Sequence, residues 1–367
     1  MEKEKLIDLY TDFEIASFEN IEMTKLSKTL GKGFSHDIFT RMLSKEIDVE
    51  LELLKKVRPI LKTIDIDNIG MIVIDDTVIK KPHSRENQLI AYHYDNSEKR
   101  VVKGINILNF LLTSANKQKS MSIPVGFEPI IKDEIYEDKK DNFKEKRKCS
   151  LTKNEIVRDK LGFLVKNSIR FKYIVGDSWF ASNENIEYIE EKLDKKFVFR
   201  IKSSRLIAFS KEDKINGKFS RIKDVDMSAK SDCLVYLKGC SQPVRLLKLY
   251  VKDGTNFEPK ASYLVTNDME LNIITLCEIY QRRWKVEEFH KSLKQNLKIE
   301  KSPAKTPFPQ LNHIFLTMLA FIKLEKYRVK LCTNHYSFKE QLYISALKEA
   351  MNKLKSLEEE LEEEKAS

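Results

Sequence analysis

The chain has 367 residues, 41% of them hydrophobic and 33% charged, with a formal net charge of +10. That length allows two or three domains of roughly 100–200 residues each. The basic excess suits a polyanion partner, most simply nucleic acid, though a lysine-heavy proteome gives the same balance. No run of about 18 apolar residues exists to span a membrane, and MEKEKLIDLY has no signal-peptide core. Five cysteines, without two Cys-x-x-Cys pairs at zinc spacing, point to a reducing cytosol.

Residues 1–68 read as a helical domain. Within MTKLSKTLGKGFSHDIFTRMLSK, a helix through Leu26 and Leu30 meets a GKGF turn. Ser35 then caps a second helix that turns Ile38, Phe39 and Met42 inward and Arg41 and Lys45 outward. This resembles a DNA-binding helix-turn-helix, and a small helical cap fits equally.

NIGMIVIDDT follows. Ile72, Val73 and Ile74 make a buried strand whose end presents Asp75 and Asp76. Buried carboxylates are costly unless paired or metal-bound, while an Asp-Asp-Thr turn is the plainer alternative. Residues 99–114 add one or two strands, and residues 132–150 read as a charged linker. Thr152 and Glu155 open a helix with a capping box. Tyr173-Ile174-Val175 is a second apolar strand, ending in Gly176-Asp177. A helix capped at Ser182 or Asn183 and the strand KFVFRIKSS complete an α/β pattern. Residues 202–262 read as a small β-rich insertion with three strands. Residues 263–330 return to the core, and residues 331–367 form a C-terminal helix and acidic tail.

YQRRWKVEEFHKSLK, residues 280–294, reads as one amphipathic helix. At about 100° per residue, Tyr280, Arg283, Glu287, Lys291 and Lys294 share an arc of about 80°. Val286, Phe289, Leu293 and Leu297 fall elsewhere on the wheel. A solvated surface helix has a similar composition. Acids from two strands and one helix can nevertheless meet at one sheet edge, where hard oxygens suit Mg²⁺. Paired ions of this kind serve in-line phosphodiester attack, and Lys and Arg hold the DNA strand. Trp179 and Trp284 read as packing residues, with base stacking as the alternative. His83, His93 and His290 read as surface or hydrogen-bonding residues.

Tyr280, Arg283, Glu287 and Lys294 match the Tyr-x₂-Arg-x₃-Glu-x₆-Lys spacing of a subgroup of bacterial insertion-sequence DDE transposases. GDSWFAS resembles the family's second-aspartate segment and IDDT its first. The resemblance covers roughly residues 65–320. It implies an RNase H-like mixed sheet flanked by helices, with the core in residues 69–201 and 263–330. It further implies catalytic, metal-binding Asp75, Asp177 and Glu287, with Mg²⁺ replaceable by Mn²⁺. Family members often show Asp-x-Thr, which selects Asp75 with Thr77 over Asp76. Tyr280, Arg283, Lys291 and Lys294 would contact DNA phosphates. The implied activity is cut-and-paste transposition in the bacterial cytoplasm, by a homodimer acting on terminal inverted repeats and target DNA. A DNA-binding protein without catalysis and a nuclease without strand transfer are the alternatives.

Overall fold

The computed structural model describes residues 3–62, 70–114, 121–139, 143–227, 232–251 and 260–366. Readings that touch residues 63–69, 140–142, 228–231 or 252–259 lie outside the described residues there. The chain divides into two compact units, residues 1–49 with 291–367, and residues 50–290.

Helices α1 (Lys3–Ala16), α2 (Met23–Leu30) and α3 (His36–Ser44) precede α4 (Val49–Leu61). Gly31 ends α2 with a positive φ of 76°, a conformation that costs glycine little. Ser35 caps α3, its hydroxyl accepting from the Asp37 N–H at 3.2 Å. Phe39 and Leu43 are the fully buried residues of α3; Ile38 and Met42 are half-buried, and Arg41 and Lys45 are exposed.

The second unit is built on a mixed sheet. Its strands are β1 (Gly70–Lys80), β2 (Ala91–Asp95), β3 (Arg100–Ser114) and β4 (Ile123–Pro129). A separate hairpin, β5 (Glu134–Asp138) and β6 (Lys144–Lys148), leads to α5 (Lys153–Lys166), β7 (Tyr173–Gly176) and α6 (Asn183–Glu187). Then come β8 (Lys196–Ile201), β9 (Leu206–Ala208), α7 (Lys211–Ile215) and β10 (Ser220–Arg221). The strands end with β11 (Asp232–Leu237), β12 (Pro243–Val251) and β13 (Lys260–Thr266). Helices α8 (Ile273–Gln281), α9 (Trp284–Gln295), α10 (Pro307–Lys330) and α11 (His335–Ala366) close the chain, and the division between units falls within α9.

Among the described residues, eleven strands form one sheet in the order β10-β9-β11-β12-β13-β8-β7-β1-β3-β2, with β4 also on β3. Strands β1, β7 and β8 are parallel neighbours. Met71 to Ile74 are buried on both faces, as expected for central strands covered by helices on either side.

Three expectations change. Residues 132–150 are not a linker. Ladders of opposite charge, Lys148–Glu134 at 2.9 Å and Lys146–Asp138 at 2.7 Å, knit them into the β5–β6 hairpin. The strands of the expected insertion do not stand apart, because β13 pairs with β8 and carries β12 and β11 into the central sheet. The acidic tail is helical through Ala366 as part of α11.

In the first unit, α10 is the central element, buried along most of its length. Asn312 donates to the carbonyls of Leu43 at 2.7 Å and Lys45 at 2.6 Å, satisfying the C-terminal end of α3. A buried polar network ties α1 to α10. Tyr10 Oη lies 2.8 Å from His313 Nδ1, and the Thr317 hydroxyl donates to Glu14 at 2.7 Å.

Candidate active site

Sheet register brings two of the expected acids together. The parallel ladder pairs Met71 with Tyr173, Ile72 with Ile174 and Val73 with Val175. Carried two residues further, the same register sets Asp75 opposite Asp177. Gly176 precedes Asp177 where a Cβ would stand 3.1 Å from Phe180 and 3.3 Å from Phe199. Asp75 is not at a strand end, as the sequence suggested: β1 runs on to Lys80. What ends is its pairing with β7, so Asp75 lies where the two strands part.

Opposite Asp75 on the antiparallel side stands Asn109. Its side-chain nitrogen is 3.0 Å from His290 Nε2 on α9. Helices α8 and α9 therefore serve the Asp75 face. Side chains alternate along a strand, and Asp76 takes the other face, where Lys153 at the start of α5 meets it at 2.8 Å. The capping box expected at Thr152 and Glu155 is formed and fixes the turn that presents Lys153.

Residues 280–294 are not one helix. The chain turns at Arg282 and Arg283, with the Arg283 N–H donating to Tyr280 and the Lys285 N–H to Arg282, both at 2.9 Å. Tyr280 thus lies in the last turn of α8, Arg283 sits in the break, and Glu287, Lys291 and Lys294 follow on α9. Val286, Phe289 and Leu293 are buried on α9, so the apolar arc of the wheel holds there, and Leu297, just past the helix end, is buried as well.

Arg283 is the hinge of the electrostatics. Its Nη2 is 2.7 Å from Glu287 Oε1, and its Nη1 is 3.9 Å from Asp75 Oδ2. Burial works against the guanidinium charge, yet Tyr280, Glu287 and Asp75 outweigh it and raise its pKa. Asp75 is pushed up to about 7, first by burial and then by the charges of Asp76 and Asp177. The Asp76 N–H and Arg283 oppose that rise. Tyr280 is raised by burial, against the pull of Arg283 and Arg200, with Asp177 adding to the rise. Asp177 accepts the Trp179 N–H at 2.8 Å.

The structure thus groups Asp75, Asp177, Tyr280, Arg283 and Glu287 on one face of the sheet. It does not present three acids already closed on a point: among the described residues, no three His, Cys, Asp or Glu side chains are gathered as a metal site. The Arg283 guanidinium bridges Asp75 and Glu287 instead. The donor set still fits a hard divalent cation, since it consists of carboxylate oxygens, with the Asp177 charge close enough to Asp75 to oppose its ionisation. Lys291 and Lys294 belong to the other unit. Lys291 is exposed, 5.3 Å above the Tyr336 ring, and Lys294 lies 3.9 Å from Glu300.

Both tryptophans depart from the packing expectation: Trp179 is 58% exposed and Trp284 60%. Lys153 and Lys202 stand 6.0 and 5.8 Å from the Trp179 ring, and the Arg283 guanidinium 5.4 Å from Trp284. His83 is exposed, whereas His93 is buried and its pKa is lowered to about 3, chiefly by burial. Asn109, Lys153, Arg200 and Lys202 escaped the sequence reading. The one available signal for the basic pair was Arg200 and Lys202 closing the strand that follows the Asp177 segment.

No curated protein matches the chain. Residues 144–322, just under half of the chain, match the family model described as a transposase DDE domain, a span that includes Asp177, Tyr280, Arg283 and Glu287 but begins after Asp75, and this match supports a DDE transposase.

Proposed function

We propose that the protein is a cut-and-paste DNA transposase of a bacterial insertion sequence, of the Tyr-Arg-Glu-Lys subgroup, acting in the cytoplasm as a homodimer on paired terminal inverted repeats. The observation that carries this reading is the single guanidinium shared by Asp75 and Glu287, beside Asp177. The strand order β4-β3-β1-β7-β8, with β3 antiparallel and β7 and β8 parallel to their neighbours, supports an RNase H-like core.

Asp75, Asp177 and Glu287 would hold Mg²⁺, or Mn²⁺ in its place. When bound, the cations supply Lewis acidity to the phosphodiester and lower the pKa of the attacking water or 3′-hydroxyl. Arg283 offsets the carboxylate charge and can shift one arm of its fork to a DNA phosphate. Tyr280 orients that guanidinium. Lys291 and Lys294 supply point charges for the backbone, one and two turns beyond Glu287. Exposed Trp179, flanked by Lys153 and Lys202, offers a face to an unpaired base of the cleaved end. Helices α2 and α3 and strands β11 and β12 contribute to holding the inverted repeats.

The test is cleavage and joining of the element's own end in Mg²⁺. Asp177→Ala and Glu287→Ala should each abolish both steps while leaving DNA binding in place. Cleavage that persists in either variant would overturn the assigned roles. Cleavage without joining of a pre-cut end would reduce the enzyme to a nuclease. The rival reading is a DNA-binding protein without catalysis. Titration with Mn²⁺ separates the two, because the binder should take up no ion that Asp177→Ala removes.

A further inference from the structure

Strands β2 and β3 carry a bare platform on the face of the sheet that holds Asp75. Asn109, the partner of Asp75, is followed in steps of two by Ile107, Ile105, Lys103 and Val101 toward the start of β3. Side chains alternate along a strand, so Lys103 and Val101 share the Asp75 face. Their partners across the ladder are Tyr92 and Tyr94 on the edge strand β2. Ile105 and Ile107 are fully buried, whereas Tyr92 is 52% exposed, Tyr94 57% and Val101 58%. Among the described residues, neither tyrosine ring stacks on another ring, neither hydroxyl has a hydrogen-bond partner, and Lys103 has no acid partner. The reverse side of the same hairpin is closed, with His93, Asp95 and Val102 buried. Exposure is thus confined to one side, where two phenol rings stand beside an ammonium group.

We propose that this platform binds single-stranded DNA, two successive bases stacking on Tyr92 and Tyr94 with Lys103 on a phosphate. The spacing selects an unpaired strand. Side chains two residues apart on one strand face are separated by about 7 Å, twice the ~3.4 Å step per nucleotide along a duplex. Neighbouring bases reach both rings only when the strand is drawn out and unpaired, and each ring then replaces a lost base stack. Charge agrees with this occupant. Lys132 donates to the Tyr92 carbonyl at 2.6 Å, which sets a second ammonium at the rim. The same contact occupies part of the open edge of β2 and works against addition of a peptide strand there. Position agrees as well. Lys103 and Val101 lie about 20 and 27 Å along β3 from Asn109, at ~3.4 Å per residue. A strand that leaves the acids is within reach of the platform on the same face. The proposal rests on the reading of that face as a DNA-cleaving centre and adds to it an unpaired stretch of the DNA.

Fluorescence anisotropy of the full chain in EDTA tests this, with a labelled oligothymidylate and a duplex of the same length. The wild type should bind the oligothymidylate. Tyr92→Ala with Tyr94→Ala should weaken that binding by about 100-fold, roughly 10-fold for each lost stack, and leave duplex binding and thermal melting nearly unchanged. Tyr92→Phe with Tyr94→Phe should keep most of the affinity, because the stacking face remains. Lys103→Ala should lower the slope of log affinity against log salt by about 0.7, one phosphate on a single strand. A wild type that ignores the oligothymidylate, an alanine pair within about threefold of it, or an equal loss on the duplex would overturn the proposal. So would tighter binding of an oligouridylate, which would make RNA the occupant. The assay holds no metal and no cleavable end, so its outcome stands apart from the roles of the acids. Cleavage that persists in Asp177→Ala would overturn those roles and leave this binding result as it is.

Discussion

Burial and two neighbouring carboxylates hold Asp75 at a pKa of about 7, and that has a consequence for stability. Its folded pKa exceeds its unfolded one, so its contribution is fully present below about pH 4 and lost as pH rises through about 7. Asp75→Asn should therefore stabilise the fold at pH 8, by roughly 4 kcal/mol at most. The gain should shrink toward pH 4. Thermal unfolding across that window checks it, and added Mg²⁺ should raise the wild-type melting temperature at pH 8 more than that of Asp75→Asn. A pH-independent difference would mean that the charge crowding is wrongly assigned. In cleavage, Asp75→Asn should lose at least about 10²-fold, in line with removal of a group that acts at the reacting centre. Asp76→Asn should lose only a few-fold, because Asp76 is turned to Lys153 on the opposite face.

At the scale of single elements, α5 and the Trp179 turn carry separable loads. Thr152→Ala removes a reciprocal cap and should cost about 1 kcal/mol in urea unfolding. Trp179→Ala should leave melting within a degree or two and slow cleavage by about 10-fold, the scale of one lost base stack, with Trp179→Phe recovering most of it. Elements whose signals are local were legible in the sequence. Ser35 and Ser182 as caps, the Thr152–Glu155 box, and the apolar runs at Met71 and Tyr173 all follow from short-range chemistry. The break at Arg282 was not legible, because neither glycine nor proline marks it and side-chain periodicity survives a tight turn. Strands β2 and β4 were passed over because nothing in their own sequences shows that β3 pairs with both. The β5–β6 hairpin looked like a linker because its stabilising partners are charges several residues apart across the turn. Trp179 and Trp284 looked like core residues because exposure of a large ring is decided by tertiary neighbours, not by spacing.

For the whole molecule, the relevant facts are two units, a basic excess and a site assembled from distant sequence. The approach of Asp75 to Asp177 rests on the parallel register of the residues before them, and a register is set by long-range pairing that no local motif encodes. The spacing of Tyr280, Arg283 and Glu287 identified the residues that the fold groups together while mistaking the helix that bears them. With a net charge of +10, duplex binding should weaken linearly in log–log plots against salt, by about 0.9 per phosphate contacted. Lys291→Ala and Lys294→Ala should each reduce the slope by about one. A slope unchanged in both would remove these lysines from the DNA contacts.

The central claim is that carboxylate-held cations touch the reacting phosphate, and sulfur substitution at the scissile position of the element's end tests it most directly. A non-bridging phosphorothioate there should stop cleavage in Mg²⁺ and permit it in Mn²⁺, which accepts sulfur more readily. Equal cleavage of the oxygen and sulfur substrates in Mg²⁺, or a block that Mn²⁺ leaves in place for both sulfur isomers, would contradict it.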